Sequence, residues 1–348
     1  MKRLPLREPS VNSCRVLAHY LEQKLHSSER EYLLNDFWWK AKDLPPEVGR
    51  DYLLQVLRTI LPERGSHLLD WFGKAAVSTR EAVDIAIVTV IKEELTAAKI
   101  AFGIEEDKAE DKRVHGFRYW EATALDASGR NLRVVVTMVG EARNLPCAIA
   151  CGRLFDAYKV GACILVGIAA GLAGKVSLGD VVAANLVLDY EGARMEQKGP
   201  AKRPQPYPLE TGISRDLVHF DPKREWQAHF ALCLSRLKDS GVVPTFDAQW
   251  VPKYHTGVIL AGEKLLADGR LPKMQMEYHE QVRALEMEGS GFARACNEYA
   301  VPWLVFRGVS DFGNPNKPNT ENWKTTAALS AATAAIAFLQ KDYRPGTF

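Results

Sequence analysis

Val83-Asp84-Ile85-Ala86-Ile87-Val88-Thr89-Val90, followed at once by Ile91-Lys92-Glu93-Glu94-Leu95, decides the fold class of this 348-residue chain. A short apolar run rich in β-branched residues, stopped by charge, reads as a strand buried on both faces. The Lys92-Glu93-Glu94 turn then opens a helix expected to reach about Phe102. The alternation recurs downstream. Strands are expected over Arg133–Val139, Cys163–Gly167, Asp180–Leu188 and Val301–Val309, and helices over Ala148–Phe155 and Glu288–Tyr299. Strands alternating with helices indicate an α/β sheet covered by helices on its faces. Residues 191–210, with four prolines and the basic residues Arg194, Lys198, Lys202 and Arg203, read as a loop.

Upstream the texture changes. Val16, Leu17, Tyr20, Leu21 and Leu25, then Tyr32, Leu33, Phe37 and Trp38, then Leu53, Leu54, Leu57, Ile60 and Leu61 recur at helical spacing. Pro45-Pro46 and Pro62 break the pattern into helices. The expected organisation is a small all-helical domain over 1–73, a linker over 74–82, the α/β domain over 83–340 and a tail over 341–348. A chain of this length accommodates two domains.

Composition narrows the function. With 47% hydrophobic and 25% charged residues, the chain is globular rather than disordered. Its 45 basic and 43 acidic residues leave a formal charge of +2, which gives no electrostatic case for nucleic acid as the main ligand. No apolar run reaches the ~20 residues that cross a bilayer, and Met1-Lys2-Arg3-Leu4-Pro5 does not open a secretory signal. The six cysteines form no C-x-x-C pair and read as reduced and buried, which fits a cytoplasmic protein. Histidines and cysteines do not cluster, so neither a metal nor a cofactor is expected.

Three places put polar residues at strand ends, where open α/β sheets bind ligands. Glu93-Glu94 follows the first strand and reads equally as acids favouring a helix dipole. Gly167-Ile168-Ala169-Ala170-Gly171 lets a ligand approach the backbone, or is simply a tight turn. It lacks the spacing of a dinucleotide or P-loop motif. The third place is Leu285-Glu286-Met287-Glu288, followed 23 residues later by the acid of Arg307-Gly308-Val309-Ser310-Asp311. A capping Ser-Asp turn is the alternative there.

Taken together, the segments Asp84–Glu94, Ile164–Leu172 with Leu178–Val182, Leu285–Glu288 and Val305–Asp311 resemble the nucleoside phosphorylase and nucleosidase superfamily. The likeness is strongest to its hydrolytic branch, the 5′-methylthioadenosine/S-adenosylhomocysteine nucleosidases. The resemblance covers residues 83–340. It implies a three-layer sheet flanked by helices and hydrolysis of the N-glycosidic bond of an adenine-containing purine nucleoside or nucleotide. Asp311 aligns with the acid that protonates N7, and Glu94 with the carboxylate that activates water. Glu288 aligns with the residue that binds the ribose hydroxyls, and Met287 with the one packed under the sugar. Glu286, Ala169, Ala170, Ser310, Arg307 and Leu265 fall on the remaining substrate-binding positions.

The chemistry asks for these groups. Breaking the C1′–N9 bond builds positive charge on the sugar and negative charge on the base, as in glycoside hydrolysis generally. A positioned acid for the base and a carboxylate for water meet those demands. Phosphorolytic relatives carry a Gly-Asp-Pro-x-Arg turn after the first strand and an arginine before the Gly-rich loop. This chain has Val90-Ile91-Lys92-Glu93-Glu94 and Ala162–Val166 instead, which favours water over phosphate as acceptor.

Two departures matter. Leu265 and Leu266 stand where the nucleosidases supply an aromatic stacking residue. The basic stretch 191–210 exceeds what a methylthio pocket needs, and Lys202 and Arg203 are candidates for a 5′-phosphate. That stretch and the helical start are similar to nucleosidase-like domains of bacterial conflict proteins. By that resemblance residues 1–73 engage a protein partner, the chain forms a homo-oligomer and it acts as an effector of bacterial defence. A nucleotide-sensing module signalling through the helical domain is the alternative from another functional class.

Overall fold

A computed structural model describes residues 80–105, 111–114, 116–197, 199–239, 250–315 and 323–344. The chain divides into two units, Met1–Thr79 and Arg80–Phe348. All described residues belong to the second unit, so the helical domain expected over 1–73, with Cys14, lies outside them.

The second unit is a mixed α/β structure. In chain order its strands are β1 (Glu81–Thr89), β2 (Asp111–Val114), β3 (Phe117–Leu125), β4 (Asn131–Met138), β5 (Tyr158–Gly171), β6 (Val181–Asp189), β7 (Ala193–Glu196), β8 (Gly199–Lys202), β9 (Gln205–Pro208), β10 (Tyr254–Ala261), β11 (Val282–Glu286) and β12 (Trp303–Asp311). Its helices are α1 (Lys92–Ala101), α2 (Asn144–Ala157), α3 (Thr211–His219), α4 (Lys223–Asp239), α5 (Leu271–Tyr278), α6 (Gly289–Glu298) and α7 (Trp323–Lys341).

Ten strands form one sheet in the order β11-β10-β6-β12-β5-β1-β4-β3-β2, with β9 paired to β6. β1 lies parallel between β4 and β5, and Ile85, Ala86, Ile87 and Val88 are wholly buried. That burial explains why this strand reads as a continuous apolar run rather than an alternating one. β11 also pairs antiparallel with the end of β5, through Ala284–Gly171 and Leu285–Ala170. The sheet therefore curls back on itself, and β11 and β12 both meet the carboxyl end of β5, while β1 pairs with it as far as Leu165.

Helices cover both faces. α1, α4 and α7 pack together on one face, and α2 packs against α6 on the other. α7 is buried all round from Thr325 to Leu339, as expected of a helix apolar on every side. Its alanines let the backbones approach closely. A Cβ added at Gly308 of β12 would lie 1.9 Å from the Ala327 carbonyl oxygen, so only glycine fits there.

Several boundaries differ from the sequence expectation. β1 begins inside the stretch expected as linker, where Glu81 and Ala82 already pair with Tyr158 and Lys159. β5 is 14 residues long rather than the five of Cys163–Gly167. Residues 191–210 are not a plain loop. They hold the hairpin β7–β8 and the strand β9, whose pairing with β6 runs from Leu186–Pro208 to Asp189–Gln205. Prolines at alternate positions of β9 leave one edge without donors, which masks the strand in the sequence. The expected tail is not free of the core either: Tyr343 is buried, and its carbonyl accepts from Ala127 N at 3.1 Å.

Candidate active site

The carboxyl end of β5 is the floor on which the candidate residues meet. Glu94 comes from the first turn of α1, just beyond β1. Its Oε2 accepts from Val90 N at 2.6 Å and Ile91 N at 3.2 Å, and its Oε1 accepts from Ile168 N at 2.9 Å. The side chain thus returns to its own helix start and also reaches across to β5. Arg307 Nη1 lies 3.5 Å from Oε1. This proximity needs glycine at 167, because a Cβ there would fall 2.1 Å from Arg307 Nη1 and 2.4 Å from Glu94 Oε1.

Arg307 is completely buried in β12 and faces three carboxylates. Its Nη2 is hydrogen-bonded to Glu286 and, at 3.0 Å, to Glu288 Oε2. Burial pulls its pKa down, but the three glutamates overcome this and the net shift is upward. Burial pushes the Glu94 carboxyl up to about 7, with Arg307 opposing and Glu288 reinforcing the shift. Burial likewise raises Glu286, against the pull of Arg307. One guanidinium among three enclosed carboxylates leaves more negative charge than it neutralises, which is the condition for raised carboxyl values.

Glu288 stands at the start of α6. Its Oε1 accepts from Arg143 N at 3.0 Å. Glu286 is enclosed: its oxygens accept from Glu288 N at 3.0 Å and Gly289 N at 2.9 Å, in addition to Arg307. These bonds satisfy backbone donors at the head of α6. The Glu286 side chain, expected to bind substrate, is 1% exposed and turned to the protein.

Asp311 is the last residue of β12, paired with Ala170 of β5 after a bulge. Its Oδ1 accepts from Gly313 N at 2.7 Å, and Ser310 Oγ lies 3.1 Å from Oδ2 and 3.4 Å from Ala169 O. The turn expected from Ser-Asp is present, and Asp311 is half-buried at the rim rather than sealed in. Ala169 is buried and Ala170 half-buried on the same floor, and Met287 is half-buried between the two glutamates.

The outer candidates fare differently. Leu265 is 71% exposed, while Leu266 packs with Tyr190, Leu271 and Leu285. Lys202 is ion-paired to Glu277 of α5 and lies 4.4 Å over the Tyr278 ring. It thereby fastens the hairpin to α5. Arg203 is exposed, and Lys198 lies outside the described residues.

Two contributors escaped the sequence reading. Arg143 holds Glu288 through its backbone amide with φ at 104°, a left-handed conformation unusual for a non-glycine residue. Asn144 donates to Gly262 O at 3.2 Å and accepts from Gly291 N at 3.0 Å, tying α2, the β10–α5 loop and α6 together. A backbone amide leaves no trace in residue identity, and only the Gly140-to-Asn144 turn after β4 hints at either.

Among the described residues no group of histidine, cysteine or acidic side chains could hold a metal. The five described cysteines are buried and unpaired. No described helix is long and apolar enough to cross a membrane.

A curled, mostly parallel sheet carrying a carboxylate–arginine cluster at its strand ends defines the class. Residues 84–340 match the model of the phosphorylase superfamily, and the chain belongs to that superfamily. Among curated relatives, ATP nucleosidase Cap17 of Escherichia coli (strain KTE188) is 28% identical over 276 residues, 77% of this chain and 52% of the relative. A 5′-methylthioadenosine/S-adenosylhomocysteine nucleosidase of Shewanella sp. (strain MR-7) is 26% identical over 218 residues, 60% of this chain and 79% of the relative. The chain spans about half the length of the nucleosidase Cap17 it matches. The solved nucleosidase of Colwellia psychrerythraea in complex with adenine shares the fold, with a TM-score of 0.55 at 18% identity over 75% of this chain and 96% of that one. The S. pneumoniae nucleosidase with a transition-state inhibitor gives 0.54 at 20% identity, over 74% and 99%.

Proposed function

We propose that this chain hydrolyses the N-glycosidic bond of an adenine-containing purine nucleoside or nucleotide. The observation that carries the reading is that Glu94 and Asp311 meet the Gly167–Gly171 floor from two different elements, while Glu288 joins Glu94 through Arg307. Asp311, at the rim, donates a proton to the purine N7 as the C1′–N9 bond lengthens. Glu288, fixed by Arg143 N and Arg307, accepts the ribose hydroxyls and favours the cationic sugar. Glu94 holds water on the opposite face and takes its proton as the oxygen bonds to C1′. A base works best when its pKa is near the working pH, and burial has brought Glu94 to about 7.

The names of the relatives support an adenine base, and one of them an ATP substrate. The 5′ group is part of the proposal, with Arg203 the remaining candidate from the 191–210 segment for a phosphate. Homo-oligomerisation, a protein partner for residues 1–73, an effector role in bacterial defence and a cytoplasmic location belong to the same reading.

The test is a panel of adenosine, methylthioadenosine, adenosylhomocysteine, AMP and ATP, with the free base followed by chromatography. Base release from at least one is expected. Binding without turnover would make the chain a nucleotide sensor instead, and release only with added phosphate would make it a phosphorylase.

A further inference from the structure

We infer that Glu286 is a positioning residue that governs the charge state of Glu94 through Arg307, without itself meeting the substrate. The inference rests on the proposed hydrolysis for its kinetic readout, and on geometry for its substance. Arg307 has two terminal nitrogens for three carboxylates. Nη2 is held by Glu286 and Glu288 together. Nη1 faces Glu94 at 3.5 Å and makes no hydrogen bond, nor does Nε. The guanidinium is therefore drawn to the β11 side, and the carboxylate proposed to activate water receives an ion-pair contact without a hydrogen bond.

The groups that face one another are few. α1 supplies Glu94, β12 Arg307, β11 Glu286, the head of α6 Glu288, and α2 the buried thiol of Cys147. β5 supplies only the Ile168 amide. Glu286 is the one carboxylate of the three whose remaining contacts are all backbone amides of its own turn. Its charge thus reaches Glu94 through competition for Arg307 and through the shared negative charge of the cluster. Neutralising Glu286 frees the guanidinium toward Glu94 and removes a negative charge from the cluster. Both changes favour ionised Glu94, so the pH at which activity is lost on acidification must fall.

The experiment compares wild type, Glu286→Gln and Glu286→Asp by rate of base release against pH. Glu286→Gln is expected to move the acid limb to lower pH by roughly one unit, the scale of one nearby charge in an interior of moderate dielectric. Glu286→Asp keeps the charge and is expected to leave the limb in place, whatever it costs in kcat. A lower kcat with an unmoved limb in Glu286→Gln would show a merely structural role and overturn the inference. Carboxyl 13C titration reads the same coupling without turnover, with Glu94 assigned through Glu94→Gln. If no purine substrate is cleaved, the functional reading fails, and the inference is decided by whether Glu94 titrates lower in Glu286→Gln. Identical curves would overturn it. Should Glu286→Gln not fold, wild type alone decides. Glu94 and Glu286 are expected to show mutual inflections, and a Glu94 curve blind to the Glu286 transition would contradict the account.

Discussion

Charge gathers at both ends of β1, and the two gatherings behave in opposite ways. At its start, Glu81 is paired with Arg133 and, at 2.7 Å, with Lys112, while Asp84 is paired with Arg130 at 2.5 Å. These side chains stand half in water, and hydrogen bonds from Lys112 and Arg133 hold the Glu81 carboxyl down at about 2. Beyond its other end, Glu94, Glu286, Glu288 and Arg307 are sealed from solvent, and burial raises the Glu94 and Glu286 carboxyls. The same residue types form exposed ion pairs in one place and a buried, charge-unbalanced cluster in the other. What separates them is desolvation and the ratio of carboxylates to cations.

The largest expected effect is at the rim. Asp311→Asn keeps the shape but cannot donate the proton, so kcat for base release falls ~10²-fold or more with little change in affinity. Steady-state kinetics with a separate binding isotherm checks both halves. Next comes the sealed cluster. Arg307→Met leaves buried carboxylates without their cation and is expected to cost about 3–5 kcal/mol in urea unfolding. The surface counterpart, Arg133→Met, is expected to cost under about 1 kcal/mol and to cost less still in high salt. Equal losses for the two arginines would break the comparison.

The pH dependence sharpens it. Glu94 must be ionised to take a proton from water. Its value lies at about 7, so activity is expected to fall on acidification through neutral pH. A flat profile from pH 8 to pH 5 would remove Glu94 as the base. The smallest effects belong to the hairpin. Arg203→Ala is expected to weaken use of AMP and ATP but not of adenosine, and to do so less as salt is added. Lys202→Ala should act on all substrates alike, because its charge already meets Glu277.

How much of this was legible in the sequence follows from where information sits in a chain. β1, β6 and β12 are readable because burial writes a largely apolar run, broken by Asn185 in β6 and by Arg307 and Ser310 near the end of β12. Glu94, Glu288, Arg307 and Asp311 stand out in the sequence through the resemblance of their segments to the superfamily, since Glu93-Glu94 taken alone reads as helix-dipole acids and Ser310-Asp311 as a capping turn. α7 was not singled out, since its run of alanines, serines and threonines carries no amphipathic period; the helix is buried all round. β9 reads as a loop in the sequence because its prolines imitate one. The true station of Glu286 was hidden as well. Its neighbour Glu288 is identical in type, and only three-dimensional contacts reveal that one faces the backbone amides of its own turn while the other is fixed by the distant Arg143 amide. Arg143 was hidden for a related reason, because its contribution is a backbone amide placed by an unusual φ.

The central claim is that water, held by Glu94, replaces the purine at C1′. Incubating the full chain with ATP, AMP and adenosine in 18O-labelled water containing inorganic phosphate, followed by mass spectrometry of the products, tests it most directly. The account predicts free adenine and a sugar carrying one 18O at C1′, with both products lost in Glu94→Gln. An unlabelled sugar bearing phosphate at C1′, or wild-type turnover in Glu94→Gln, would contradict it.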